Sequence, residues 1–120
     1  MPEKLKAISL RQPWAEEILM GIKRVEFRGS PTKHRGPIYI YASMGRVEAE
    51  QEAEWEREHG ISVNGLPRGV VIGTVEIVGC KKDDNCFAWQ LANPKRLQKP
   101  MPPVEKAQPV WFHPFGKPER

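Results

Sequence analysis

Val70-Val-Ile-Gly-Thr-Val-Glu-Ile-Val-Gly-Cys80 is the most apolar run in the chain and is rich in β-branched side chains. Such side chains pack well on a pleated surface and crowd a helical turn, so the run reads as a central β-strand. Gly73 and Gly79 interrupt it, and a glycine inside a strand marks a bulge or bend of the kind a closing sheet requires. Glu76 also lies within it. A lone acid there is costly unless paired, and Lys23 or Arg28 are its candidate partners.

Outward from this strand the chain is densely punctuated. It has 120 residues, with twelve prolines and ten glycines concentrated near residues 29–37, 60–69 and 94–118. That length suits one domain, 1–120, and frequent reversals suit short strands joined by loops. On the N-terminal side, Leu5–Leu10 reads as a first strand and Arg11–Gly21 as a helix. Pro13 suits the first helical position and Gly21 the C-terminal cap. Trp14, Ala15, Ile18, Leu19 and Ile22 form one apolar stripe. Arg24–Arg28 alternates strictly, which predicts a strand with Val25 and Phe27 on a buried face and Arg24, Glu26 and Arg28 on a charged one. Ile38–Ser43 alternates again, setting Ile38, Ile40 and Ala42 against Tyr39, Tyr41 and Ser43.

Met44–His59 has the composition of a helix, with only Val47, Ala49, Ala53 and Trp55 to bury, and it ends at Gly60. Beyond the central strand, Cys86–Leu91 reads as a strand that Pro94 ends, followed by a brief one at Arg96–Leu97 and a last one at Val110–His113. The order β-α-β-β-α-β-β-β predicts an α+β barrel flanked by two helices. Trp14 and Trp89 are expected in the core, and Trp111, Phe112, His113 and Phe115 over an open barrel end.

The net charge is +4, but the segment Gly45–Gly60 holds six glutamates against two arginines, so the rest of the chain is more basic than that figure implies. A basic body with one acidic helix favours a polyanion on one side. No stretch approaches the roughly 20 apolar residues of a membrane span, and the N-terminus lacks the apolar core of a secretory signal. Cys80 and Cys86 have no second pair to complete a zinc site, and His34, His59 and His113 lie far apart, so neither metal nor cofactor is expected. A cytoplasmic setting with two free thiols is the expectation.

The densest chemistry lies in Gly21-Ile22-Lys23-Arg24-Val25-Glu26-Phe27-Arg28. Glu26 and Arg28 project from one strand face, and Lys23 sits on the turn leading into it. A carboxylate accepts from exocyclic base amines, while Arg and Lys donate to phosphate or base oxygens. The three together are suited to gripping one splayed nucleotide; a plain surface ion pair is the competing reading. As a catalytic pair Lys23 and Glu26 are less apt, because a carboxylate beside an ammonium favours the charged amine. Removing Lys23 and Arg28 is therefore expected to cost binding and leave thermal stability near wild type. Tyr39 and Tyr41, in line with Ser43, offer either stacking surfaces for bases or a face buried under the first helix.

Three stretches resemble the ASCH (activating-signal-cointegrator homology) family of the PUA-like superfamily. They are Ile8–Arg28, with Ser9-Leu10-Arg11-Gln12-Pro13-Trp14-Ala15 leading into G-x-K-x-x-E-x-R; Arg35–Ser43; and Gly69–Cys80 followed by Trp89, Leu91, Pro94 and Leu97. The resemblance implies a small PUA-like mixed barrel with a groove beside the first helix, suited to RNA, another single-stranded nucleic acid or a modified nucleoside. It places Lys23, Glu26 and Arg28 in that groove with Ser43 as a neighbour. Some relatives are amidohydrolases that deacetylate acetylated cytidine with a Lys, a Thr and a separate Glu. Glu26 stands where those enzymes carry the Thr, so a binding module ranks above a hydrolase. A protein-interaction module in transcription or translation control, acting through the acidic helix, is the third reading.

Overall fold

The computed structural model describes residues 3–118. Its elements are β1 (Ala7–Gln12), α1 (Trp14–Leu19), β2 (Val25–Arg28), β3 (Gly36–Arg46), α2 (Ala49–His59), a 3-10 turn at Val63–Gly65, β4 (Val70–Asp83), β5 (Cys86–Met101) and β6 (Trp111–Phe112). The six strands form one curled half-barrel sheet in the order β2-β5-β4-β3-β1-β6, an α+β architecture consistent with a PUA-like fold. Among the described residues only the β1–β3 pair runs parallel.

The Val70–Cys80 run is central, as its β-branched composition predicts, and its glycines mark irregularities. Register shifts against β5 fall between Val71 and Gly73 and between Ile77 and Gly79. Gly73 also admits the first helix, since a Cβ there would stand 2.5 Å from Leu19 Cδ2 and 2.5 Å from the Lys95 carbonyl oxygen. Ile8, Leu10, Ile38, Ile40, Ile72, Val75, Ile77, Trp89 and Leu91 form the core on the concave side, with Ala15 and Ile18 of α1 set into it. Arg96 of β5 forks the Glu16 carboxylate at 3.0 and 2.6 Å, which locks the helix over the sheet.

Several boundaries move from their sequence-based positions, each for a tertiary reason. Arg11 and Gln12 belong to β1 rather than to the helix, because β1 pairs onward with β3 up to Gln12–Arg46. Pro13 is then the N-cap of α1. The fully buried Gln12 side chain does the capping work: its Oε1 accepts the Glu16 N–H at 3.0 Å while Nε2 donates to the Pro67 carbonyl at 2.9 Å. Met44–Arg46 is strand, and the acidic helix begins at Ala49 with Trp55 as its one buried side chain. Cys86–Leu91 and Arg96–Leu97 are parts of one strand. β5 passes through Pro94 at a register shift opposite Thr74–Glu76, with Asn93 at φ 54°, so the missing proline N–H breaks no regular ladder.

β2 reverses its expected polarity. Glu26 and Arg28 stand directly opposite Trp89 and Phe87 of β5, and directly opposed residues share a sheet face. Trp89 belongs to the core, so the charged face is the inward one, and Phe27 is 54% exposed. The sheet closes here through side chains: Arg28 Nη2 donates to the Ser9 carbonyl of β1 at 3.1 Å. Beside that bridge, Trp89 stacks on Trp111 of β6 with ring centroids 5.4 Å apart.

Candidate nucleic-acid interface

The recess beside α1 begins with the way the helix stops. Gly21 adopts φ 79°, a conformation that costs a residue with a Cβ, and turns the chain back. The amides of Ile22 and Lys23 then both donate to the Glu17 carbonyl, at 3.0 and 3.1 Å. This pair of hydrogen bonds to one acceptor fixes where Lys23 sits past the end of the helix. The Leu91 amide donates to the Arg24 carbonyl at 2.9 Å, carrying the chain directly into its pairing with β5. Lys23, Ile18 and Gly21 line a cavity of about 320 Å³ with Leu91, Asn93 and Pro94 across from them.

Lys23, Glu26 and Arg28 converge. The Glu26 carboxylate takes Lys23 Nζ on one oxygen at 3.3 Å and Arg28 Nε on the other at 2.8 Å. Their side chains are 23%, 12% and 17% exposed, so the cluster is partly sheltered yet reachable. Beneath it the Arg28 guanidinium lies 5.8 Å from the Trp89 ring centre, a cation–π distance. Two cations share one carboxylate, so the cluster carries one net positive charge, and Lys23 keeps N–H groups beyond its ion pair for an incoming acceptor. The cluster thus sets N–H donors and a carboxylate acceptor side by side at its exposed edge.

The tyrosine row lies elsewhere. Tyr39, Tyr41 and Ser43 share the face of β3 opposite to Ile38, Ile40 and Ala42, and the C-terminal segment covers that face rather than α1. Phe115 packs edge-on against Tyr39 and Phe112 against Tyr41, each with centroids 5.3 Å apart. The Tyr39 hydroxyl donates to the Glu3 carbonyl at 2.6 Å, and burial, aided by the Glu3 charge, holds its pKa above the usual phenol value. Ser43 lines a separate concavity with Ser9, Arg11, Tyr41 and Gln108. Glu76 pairs with neither basic group of the cluster; its partner is Asn93, whose amide donates to it at 3.1 Å. Trp14 is half-buried rather than core, whereas Trp89 is buried as expected. Among the described residues no His, Cys, Asp and Glu side chains gather into a metal-holding group, and no helix is long and apolar enough to cross a membrane.

Two contributors escaped the sequence reading: the Ser9 carbonyl and the Trp89 ring under Arg28. A backbone acceptor leaves no trace in side-chain identity. Trp89 shows itself only once the β2–β5 register sets it opposite Glu26.

Known proteins are similar to this chain in sequence. Activating signal cointegrator 1 of Mus musculus is 28% identical over 125 aligned positions, which take in 87% of this chain. The Homo sapiens protein of the same name matches at the same identity and coverage. The chain spans about a fifth, 21%, of the length of these curated relatives. The ASCH domain profile matches residues 8–112, from β1 to the end of β6 and across the whole Gly21–Arg28 motif, and the chain belongs to the ASCH domain family.

Proposed function

We propose that this domain binds nucleic acid, RNA in preference, or a modified nucleoside, in the recess between the end of α1 and β2. The observation that carries the reading is the convergence of Lys23 and Arg28 on the two oxygens of Glu26, at 3.3 and 2.8 Å, beside a cavity of about 320 Å³. Lys23 and the exposed Arg24 meet phosphate or base oxygens, Arg28 holds the wall and contributes its charge, and Glu26 accepts from an amine-bearing base edge. Tyr39, Tyr41 and Ser43 act from behind, as support for β3 and as a contact outside the recess.

Anisotropy with a labelled single-stranded RNA, a DNA of the same sequence and the corresponding duplex tests this across a salt series. Lys23→Ala should weaken RNA binding about tenfold, equivalent to ~1.4 kcal/mol, and flatten the slope against log salt by about one phosphate contact. Wild-type affinity and slope in that variant would sink the groove assignment.

Hydrolysis of an acylated nucleoside is the weaker alternative. Ser9 donates its hydroxyl to the Gln108 carbonyl at 2.6 Å and Ser43 lies in another concavity, so neither presents a nucleophile to Lys23 and Glu26. Loss of acetylated cytidine, followed by chromatography with Lys23→Ala as control, decides between the two. A protein-interaction role has one observation in its favour: Glu17, Glu54 and Glu58 surround a cleft between the helices with Trp14 and Trp55. Reversing Glu54 and Glu58 should cost a protein partner and spare RNA binding if that reading holds.

A further inference from the structure

The C-terminal segment encloses a second concavity, of about 530 Å³, that the groove beside α1 does not include. Glu105, Lys106, Gln108, Trp111, His113 and Lys117 line it. Its two arms are tied together by the backbone: the amides of Val104 and Glu105 both donate to the Pro114 carbonyl, at 2.7 and 3.1 Å. The Gly116 amide closes the turn on the His113 carbonyl at 3.1 Å. Lys6, from the segment before β1, reaches over Trp111 with Nζ 5.3 Å from the ring centre.

The charge here is unbalanced. Lys6 and Lys117 lie close enough to His113 to act on it by charge, Lys106 lines the same concavity, and among the described residues Glu105 is the one carboxylate in the lining. Among the described residues none of the three lysines has a carboxylate within ion-pair distance. The Trp111 ring offers little stacking surface, because Trp89 stacks on it, His34 tilts against it at 5.7 Å and Lys6 lies over it. What the concavity offers a ligand is therefore ammonium groups around an imidazole, and the group that such a set recognises is a phosphate.

We infer that this concavity is a second anion site, which takes a phosphate group through Lys6, Lys106, Lys117 and His113. In the free protein, burial and then the charges of Lys6 and Lys117 press the His113 pKa below the usual imidazole value. A bound phosphate offsets those two cations, draws a proton onto His113 and gains a further charged donor. Binding thus strengthens as pH falls toward the imidazole range. Glu105 opposes the anion but favours the same protonation, and His34 is a tilted ring contact of Trp111 at 5.7 Å. The site is independent of the groove reading.

The test follows the His113 imidazole resonances of the full chain by NMR against pH, with inorganic phosphate, with sulfate as a dianion that does not titrate, and with a nucleoside 5′-monophosphate. A saturable shift and a raised His113 pKa are expected. Lys106→Ala and Lys117→Ala should each weaken the response about fivefold, on the scale of one exposed ion pair. Lys6→Ala should raise the His113 pKa in the free protein and reduce the further rise on binding. Equal affinity for inorganic phosphate and the monophosphate marks a free-phosphate site; tighter binding of the monophosphate marks a phosphate carried by a nucleotide. No saturable response to any of the three anions overturns the inference, as does an unchanged response in the doubly substituted Lys106→Ala, Lys117→Ala protein. Lys23→Ala should leave the response intact, and its loss there would show a signal relayed from the groove.

Discussion

Arg28 ties β2 to β1 as well as holding Glu26, so replacing it tests both the geometry and its cost. Arg28→Lys keeps the charge and can still reach Glu26. A single ammonium cannot also supply the bond that Arg28 Nη2 makes to the Ser9 carbonyl at 3.1 Å while Nε holds Glu26 at 2.8 Å. A hydrogen bond from a charged donor contributes about 1.5–3 kcal/mol, and the Ser9 carbonyl would lose its partner at the seam, so a loss of ~2 kcal/mol follows. With an unfolding entropy of roughly 2.1 cal/mol/K per residue over a chain of this size, the melting temperature should fall by about 8 °C. Lys23→Ala removes one ion pair on a side chain that is 23% exposed, and should cost under ~1 kcal/mol. Scanning calorimetry of the three proteins in one buffer makes the comparison. Arg28→Lys melting within ~2 °C of wild type, or Lys23→Ala falling as far as Arg28→Lys, would show that Arg28 does not bridge β2 to β1. Against the expectation that both cations can be stripped without loss of stability, the bond to the Ser9 carbonyl predicts a split, with a small loss for Lys23→Ala and a larger one for Arg28→Lys.

Gln12→Leu should destabilise the protein by about 2–4 kcal/mol, because it leaves the buried Glu16 amide and the Pro67 carbonyl unpaired. A urea midpoint that implies less than ~1 kcal/mol would contradict that account. His113 has a folded pKa below its unfolded value, so the unfolded chain binds its proton first as pH falls. Its stabilising contribution is present above the unfolded value near 6.5 and is lost as pH drops through the lowered folded one. His113→Gln should therefore flatten the fall in melting temperature between about pH 7 and 5, and an unchanged slope would remove His113 from the acid response.

Much of this protein is legible along the chain. The β-branched run at Val70, the helix that Gly21 closes, the acidic helix that ends at Gly60 and the period-two alternation of β2 and β3 are all local patterns. Each element's type follows from how its own side chains fill a pleat or a helical turn. The grouping of Lys23, Glu26 and Arg28 was legible as well, because a turn and a strand separate them by only a few residues.

The type of most elements was therefore settled by the sequence alone; their bounds, and what lies between segments, needed the fold. Alternation divides β2 into two faces but is silent on which one turns inward. That was decided by β5, which sets Trp89 opposite Glu26, and by the curl that brings the Ser9 carbonyl within reach of Arg28. The same holds for the tyrosine face, which the distant Phe112 and Phe115 cover, and for β5 continuing past Pro94, where a bulge spares the ladder. Burial and partner choice are properties of surfaces brought together from far along the chain, and no spacing within one stretch records them.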